Sequence, residues 1–145
     1  MMNWERREQT PAKSGLPGGA YPGLFGLQVL VVEDELVAAA LLEDMLADFG
    51  CVVAGLANTV SEALNGIMAA DAIDAAILDV NLGGEKIFPV ADILAERSVP
   101  FVFSTGYGPA DLRDRYPDCR LLEKPYRPEA LAQVLMDFVR SPPLH

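Results

Sequence analysis

The chain has 145 residues, 51% of them hydrophobic, and a formal net charge of -10. This length fits one domain that buries roughly two-thirds of the surface of its unfolded chain. The negative charge argues against nucleic-acid binding through phosphate neutralisation, because the protein would repel that polyanion. No apolar stretch reaches the roughly 18 residues needed to cross a bilayer, and no apolar signal region follows the charged start. A cytoplasmic protein without membrane contact is therefore expected.

The two cysteines and the single histidine show no catalytic or metal-binding pattern. Cys51 and Cys119 each lie beside an apolar run, with no second ligand at CxxC or CxxH spacing, so buried free thiols are expected. His145 is the last residue, where a frayed side chain is a poor general base. Histidine-dependent hydrolysis and histidine-rich metal sites are therefore not expected.

The start of the chain has the composition of a loop or tail. Residues 1–26 combine charges with several glycines and prolines and lack periodicity, which predicts a flexible N-terminal extension. Its large apolar side chains could still dock on the domain or on a partner, and these are Trp4, Tyr21, Leu24 and Phe25. The folded domain is expected over residues 27–140, and residues 141–145 form a tail too short for an output domain.

Strand and helix patterns then alternate five times. Strands are predicted at 27–32, 51–54, 75–79, 101–103 and 120–122. Helical patterns follow at 36–49, 59–68, 88–94, 109–116 and 128–139. This alternation predicts an α/β fold, a doubly wound five-stranded parallel sheet with helices on both faces.

The helix ends carry recognisable signals. Gly50 is a natural stop for the first helix, and Thr59 with Glu62 has the spacing of a capping box. Pro89 is tolerated in the first turn of the third helix. The core face of the first helix is predicted to consist of Val37, Leu41, Leu42, Met45, Leu46 and Phe49.

Four of the five strand ends carry polar side chains. They are Glu33 with Asp34, then Asp79, Thr105 and Lys124. Each has an ordinary explanation on its own, since acids are common in turns and at helix starts and most lysines are solvated. Because the carboxyl ends of parallel strands meet at one edge of the sheet, their joint occurrence favours a binding site there.

The chemistry of such a cluster is specific. Three crowded carboxylates repel one another unless a cation lies among them, and oxygen ligands with room for water and phosphate suit Mg²⁺. Asp79 could then attack an electrophilic phosphorus, as aspartyl-phosphate chemistry requires. Thr105 and Lys124 would donate to the phosphoryl oxygens. The strand ends therefore predict a site that holds a phosphoryl group on Asp79.

The same residues carry a resemblance to a known family. From about residue 27 to 139, the chain resembles the receiver domain of response regulators in two-component signalling. The matching segments are V-V-E-D-E at 31–35, I-L-D-V-N at 77–81, F-S-T-G-Y at 103–107 and E-K-P-Y at 123–126. The resemblance implies a flavodoxin-like fold with the strand order 2-1-3-4-5.

The resemblance also implies roles for individual residues at the acidic end of the site. Asp79 is the expected phosphoacceptor, which makes the chain a phosphoprotein carrying an aspartyl phosphate. Glu33 and Asp34 form the expected acidic metal pair, with Asp34 binding Mg²⁺ directly. The backbone carbonyl of Asn81 is a further expected ligand of the ion, together with Asp79.

On the other side of the site, the resemblance implies the parts that sense the phosphoryl group. Thr105 is the expected switch hydroxyl and Lys124 the phosphate-contacting lysine. Phosphorylation is expected to draw both inward and to shift Gly106, the loop that follows it, and the 120–126 surface. The Lys124–Pro125 peptide bond is expected to be cis.

Two departures from the usual receiver pattern affect the expected readout. Leu121 stands where receivers usually carry a switch Tyr or Phe, so the usual aromatic switch cannot operate. The segment 103–107 resembles the motif of the FAT GUY subgroup of stand-alone receivers, although Ser104 replaces its Ala and Gly108 its final aromatic. Tyr107 either replaces the missing switch aromatic or is an exposed loop residue. The second departure is the loop at 82–86, which replaces the more usual Pro-Gly turn.

We therefore expect a single-domain response regulator, a monomer or weak homodimer. It would accept a phosphoryl group from a phosphohistidine on a histidine kinase or a phosphotransfer protein. It would signal by contacts with a downstream protein or by phosphorelay. Aspartate-based phosphatases usually place a second Asp two residues after the nucleophile, where this chain has Asn81, so a turnover enzyme is not expected. The alternative is a binding module with the receiver fold that phosphorylation does not regulate.

Overall fold

A computed structural model describes residues 21–106 and 110–140 of the chain. A turn of 3-10 helix at Pro22–Leu24 precedes an alternating series of strands and helices. The series runs β1 Gln28–Val32, α1 Leu36–Phe49, β2 Val52–Ala57, α2 Val60–Ala69, β3 Ala75–Asp79, α3 Phe88–Glu96, β4 Phe101–Thr105, α4 Ala110–Arg115, β5 Arg120–Glu123 and α5 Pro128–Arg140. A short hairpin, Asn81–Leu82 paired with Glu85–Lys86, lies between β3 and α3.

The five strands form one parallel sheet in the order β2-β1-β3-β4-β5. This confirms the predicted doubly wound fold and its strand order. In the register of the sheet, Val32 pairs with Leu78, and Asp79 pairs with Ser104. The carboxyl ends of the strands therefore lie along one edge.

The sheet separates two apolar cores, because successive side chains of a strand point to opposite faces. In β1, Leu30 and Val32 pack with α2, α3 and α4, whereas Val29 and Val31 pack with α1 and α5. Every residue of the central strand β3 is buried, including Asp79 at its end. The sheet edge that carries the polar residues is therefore built on a rigid, fully packed strand.

The predicted helix ends are confirmed. The Thr59 side chain accepts a hydrogen bond from the Glu62 N–H at 3.0 Å, and the Glu62 carboxylate accepts one from the Asn58 N–H at 2.9 Å. Gly50 ends α1 with a φ of 86°, a left-handed conformation that glycine adopts without steric cost.

The predicted core face of α1 is wrong in its first half. Val37 and Leu41 are exposed, whereas Leu42 is buried as predicted. Ala39, which lies outside the predicted face, is also buried. The apolar residues at the start of α1 cover more than one face of the helix, so their periodicity did not identify the buried face.

Part of the predicted extension belongs to the packed domain. Leu24 is 0% exposed in the core under α1 and α5, and the Tyr21 and Phe49 ring centroids lie 5.4 Å apart. The Gly26 N–H donates to the Gly50 carbonyl at 2.8 Å. The docking that the sequence left open is thus observed for Tyr21 and Leu24. Trp4 and the tail at 141–145 lie outside the described residues.

Cys51 and Cys119 are half-buried, not fully buried as expected, and they form no disulfide within the described residues. Burial raises the pKa of Cys51 to about 12. The Cys51 thiol is therefore protonated at neutral pH and packs as a small apolar group. Among the helices in the described part of the chain, none combines the length and apolar character needed to cross a bilayer.

We predict that Leu24→Ala lowers the free energy of unfolding by about 2–4 kcal/mol, because it leaves a cavity in a closed core. Leu36→Ala is the matched control, since Leu36 is 80% exposed. It should change the free energy of unfolding by less than about 0.5 kcal/mol. Urea unfolding measures both, and equal effects would show that residues 21–26 do not belong to the domain.

Candidate functional site

The strand ends bring the predicted site residues to one edge of the sheet. Glu33 follows β1, Asp79 ends β3, Thr105 ends β4 and Lys124 follows β5. The backbone N–H of Lys124 donates to the backbone carbonyl of Thr105 at 2.8 Å. The backbone N–H of Glu33 donates to the backbone carbonyl of Ala57 at 2.9 Å. These backbone hydrogen bonds extend the sheet into the site and hold its residues in place.

Three carboxylates form one cluster at this edge. Glu33, Asp34 and Asp79 each offer one oxygen atom, and these oxygens lie within 4.8 Å of one another. Glu33 is 3% exposed and Asp79 is 6% exposed, whereas Asp34 is open to solvent. Mg²⁺ binds few protein oxygens at about 2.1 Å and keeps several waters, so the separation and the open side of this cluster fit the ion. The residues present therefore match the predicted metal site.

Lys124 is the cation that holds the two buried acids together. Its Nζ atom lies 3.1 Å from Glu33 Oε1 and 3.4 Å from Asp79 Oδ2. Burial lowers the pKa of Lys124, but the two carboxylates outweigh this and leave its pKa raised. The side chain therefore remains an ammonium ion within reach of the predicted phosphoacceptor.

The carboxyl group of Asp79 has a raised pKa. Burial raises the pKa of Asp79 most, and the neighbouring Glu33 carboxylate raises it further, to about 6. The Asn81 N–H, which donates to Asp79 Oδ1 at 3.2 Å, and the Lys124 ammonium act in the opposite direction. The Lys124 ammonium thus does not neutralise all the negative charge of the three carboxylates, and a divalent cation would offset the remainder.

The other predicted residues lie close to this cluster in the fold. Thr105 is buried one residue beyond Ser104, the β4 partner of Asp79. The Lys124–Pro125 bond is cis, as the resemblance implies. Gly106 is exposed, and Tyr107 lies outside the described residues.

An aromatic residue that the sequence did not identify lies near the position of the missing switch aromatic. Leu121 is half-buried and pairs in register with Phe103. The Tyr116 ring, which follows α4, lies with its centroid 5.9 Å from that of Phe103 and 5.5 Å from that of Phe101. Tyr116 therefore packs on the strand that ends in Thr105.

Tyr116 also connects α4 to α3. Its hydroxyl donates a hydrogen bond to Asp92 in α3, and Arg115 pairs with the same carboxylate at 2.6 Å. Burial raises the pKa of Tyr116 to about 12, with Asp92 adding to the effect, so the hydroxyl keeps its proton at neutral pH. Only long-range contacts create this cluster, so no local pattern in the sequence could have identified it.

The hairpin after β3 was also missed, although the sequence carries its signal. Gly83 and Gly84 form the two-residue turn, with φ values of 57° and 94°. Positive φ at both positions is typical of a type I′ turn, for which Gly-Gly between two short pairing segments is a known signal.

We predict that Asp79→Asn raises the free energy of unfolding by about 1–2 kcal/mol near pH 7.5 without divalent cations, because it removes a repulsive buried charge. The folded pKa of Asp79 exceeds the unfolded value. The Asp79 side chain stabilises the fold in its protonated form. This contribution is fully present below about pH 4 and is lost as the pH rises through about 6. The difference in free energy of unfolding between Asp79→Asn and the wild type should therefore be smaller near pH 5 than near pH 7.5.

Urea unfolding in a chelator at the two pH values measures this difference. Asp71→Asn is the matched control, since Asp71 is exposed and undergoes the same change of carboxylate to amide. A pH-independent difference between Asp79→Asn and the wild type would contradict the prediction.

Comparison with known proteins agrees with this geometry. The family model for the response regulator receiver domain matches residues 29–136. The solution structure of SdrG from Sphingomonas melonis Fr1 is 44% identical, with 76% of this chain and 93% of that chain covered and a TM-score of 0.68. The PhyR receiver domain from Erythrobacter litoralis is 25% identical, with 83% and 95% covered and a TM-score of 0.74.

A curated relative matches over a smaller share of its own length. The phyllosphere-induced regulator PhyR of Methylorubrum extorquens is 29% identical over 111 residues, which are 74% of this chain and 42% of that protein. This chain thus spans less than half the length of that relative. The family match covers both the fold and the acidic edge of the sheet, and the chain belongs to the response regulator receiver domain family.

Proposed function

We propose that this receiver domain accepts a phosphoryl group on Asp79, with Mg²⁺ as cofactor, from a phosphohistidine on a histidine kinase or a phosphotransfer protein. The observation that carries the proposal is the position of Asp79. It lies between the Lys124 ammonium at 3.4 Å and a carboxylate cluster that suits a divalent cation. An aspartate that only ends a strand and begins a turn requires neither an ammonium nor further carboxylates beside it.

The transfer is a displacement at phosphorus. A carboxylate oxygen of Asp79 forms the new P–O bond as the P–N bond of the phosphohistidine breaks, and the histidine nitrogen takes a proton from solvent. Lys124 is already paired with Asp79, so it can donate to a phosphoryl oxygen after a small movement. Bound Mg²⁺ would supply charge neutralisation on the same group. Glu33, Asp34 and Asp79 would hold it, together with the backbone carbonyl of Asn81.

The readout would start at Thr105, whose hydroxyl would also donate to the phosphoryl group. Thr105 ends the strand that contains Phe103, on which Tyr116 packs, and Tyr116 ties α4 to Asp92 of α3. Movement of Thr105 would therefore act on Tyr116 and, through Asp92, on α3. With Leu121 unable to act as the aromatic switch, the surface around Tyr116 and Asp92 is the proposed signalling surface.

The protein would act as a switch and would not turn over a metabolite. The residue two positions after Asp79 is Asn81, whose side-chain oxygen accepts the Gly84 N–H at 3.0 Å. This amide supports the hairpin and offers no carboxylic acid for a phosphatase cycle. Loss of the phosphoryl group would then follow from hydrolysis of the acyl phosphate alone.

The output is proposed to pass through protein contacts or phosphorelay. Solved PhyR chains that are 28% and 25% identical to this one are described as a stress response regulator and an anti-anti-sigma factor. Those descriptions support a protein partner for this domain and do not name it. The single-domain organisation, the cytoplasmic location and the monomeric or weakly dimeric state stay predictions.

The experiment is to incubate the protein with acetyl phosphate and Mg²⁺ and to weigh it intact. We predict a mass gain of one phosphoryl group that disappears in a chelator, because the acidic cluster needs its cation. Asp79→Asn should show no gain, whereas the control Asp71→Asn should behave as the wild type. An undiminished gain in Asp79→Asn would contradict the proposal, and a lack of any gain would favour the unphosphorylated binding module.

A further inference from the structure

The hairpin at residues 81–86 is built directly against the acidic cluster. Asn81 begins it and donates its N–H to Asp79 Oδ1 at 3.2 Å. At the tip, a Cβ atom placed on Gly83 would lie 3.6 Å from Asp34 Oδ2. The hairpin therefore bonds to one acid of the site, Asp79, and borders a second, Asp34, at the neighbouring strand end.

Both legs of the hairpin are held in place. Leu82 is buried in the core beneath α2 and α3, and Ile87 is buried there directly after the second leg. Asn81 pairs with Lys86 and Leu82 pairs with Glu85 in the antiparallel register. Fixing the second leg therefore also fixes the first, which carries Asn81.

One side chain ties the second leg to a different part of the fold. Glu85 Oε1 accepts a hydrogen bond from the backbone N–H of Val60 at 3.3 Å. Val60 is the first residue of α2, where N–H groups lack partners within the helix and the helix dipole favours a negative charge. Glu85 is exposed, so its packing does not explain this contact.

We propose that Glu85 is a positioning residue for the divalent cation site. Its hydrogen bond to α2 holds the hairpin, and the hairpin holds the Asn81 backbone and borders Asp34. A ligand set that is already ordered loses less conformational freedom when the ion binds, so the tie increases affinity. This inference rests on the proposed function, since it assigns a residue to the metal site of that same reaction.

The test is Mg²⁺ titration of the full chain, followed by the shifts of backbone amide signals in NMR spectra. We expect Glu85→Ala to raise the dissociation constant about three- to tenfold, which is at or below the usual effect of losing an outer-shell partner. Glu85→Gln keeps an acceptor oxygen at the same position and removes the charge. It should bind within about twofold of the wild type if the hydrogen bond is what counts.

A second variant removes the donor and leaves Glu85 intact. Val60→Pro deletes the N–H at the first helical position, where proline is well tolerated. The preceding Thr59 has φ -138° and ψ 163°, which is compatible with a following proline. This variant should lose the same affinity as Glu85→Ala, and the double variant should lose no more than either one.

The possible outcomes distinguish a failure of the metal site from a failure of the positioning role of Glu85. Wild-type protein that binds no Mg²⁺ would overturn the metal site and the proposed function with it. Wild-type binding with unchanged affinity in Glu85→Ala would overturn only the positioning role. Equal losses in Glu85→Ala and Glu85→Gln would also overturn it, since charge alone would then explain both. Urea unfolding of each variant shows whether a loss of affinity reflects a loss of fold.

Discussion

The balance of charge around Asp79 determines how the residues of the site are arranged. Two buried carboxylates share one ammonium, with Lys124 Nζ at 3.1 Å from Glu33 and 3.4 Å from Asp79. The third acid, Asp34, lies at the open side of the cluster. Buried carboxylates are tolerated only with such compensation, and here it is incomplete, as the raised pKa of Asp79 shows. This unbalanced charge supports the proposal that the site binds a divalent cation and a group that pairs with Lys124.

The fold supplies this arrangement through its topology. A parallel sheet aligns the carboxyl ends of its strands, so residues that are 91 positions apart, Glu33 and Lys124, form an ion pair. Strand β3 is buried along its whole length, which places Asp79 at the end of a fully packed element. The response proposed for Thr105 would pass to Tyr116, which packs on the same strand and is bonded to Asp92 of α3. The hairpin, in contrast, is held in place by its tie to α2 through Glu85.

The fold and the site residues could be predicted because local signals report them. Alternating apolar runs, Gly50 and the Thr59–Glu62 cap identified the elements, and acids, a hydroxyl and a lysine at strand ends identified the site. Long-range packing is what the sequence could not show. Tyr116 reaches Asp92 and Phe103 only once the sheet is assembled, and Glu85 meets Val60 across 25 positions. The exposed Val37 and Leu41 show the same limit, because apolar character alone did not decide which face of α1 is buried.

The assignment of Asp79 as the phosphoacceptor is tested by locating the acyl phosphate in the chain. The phosphorylated protein is reduced with borohydride, which converts an aspartyl phosphate to homoserine, and its peptides are then sequenced by mass spectrometry. We predict homoserine at position 79 alone, and only when the incubation with acetyl phosphate contained Mg²⁺. Homoserine at position 34, no reduced residue, or modification that persists without the cation would contradict it.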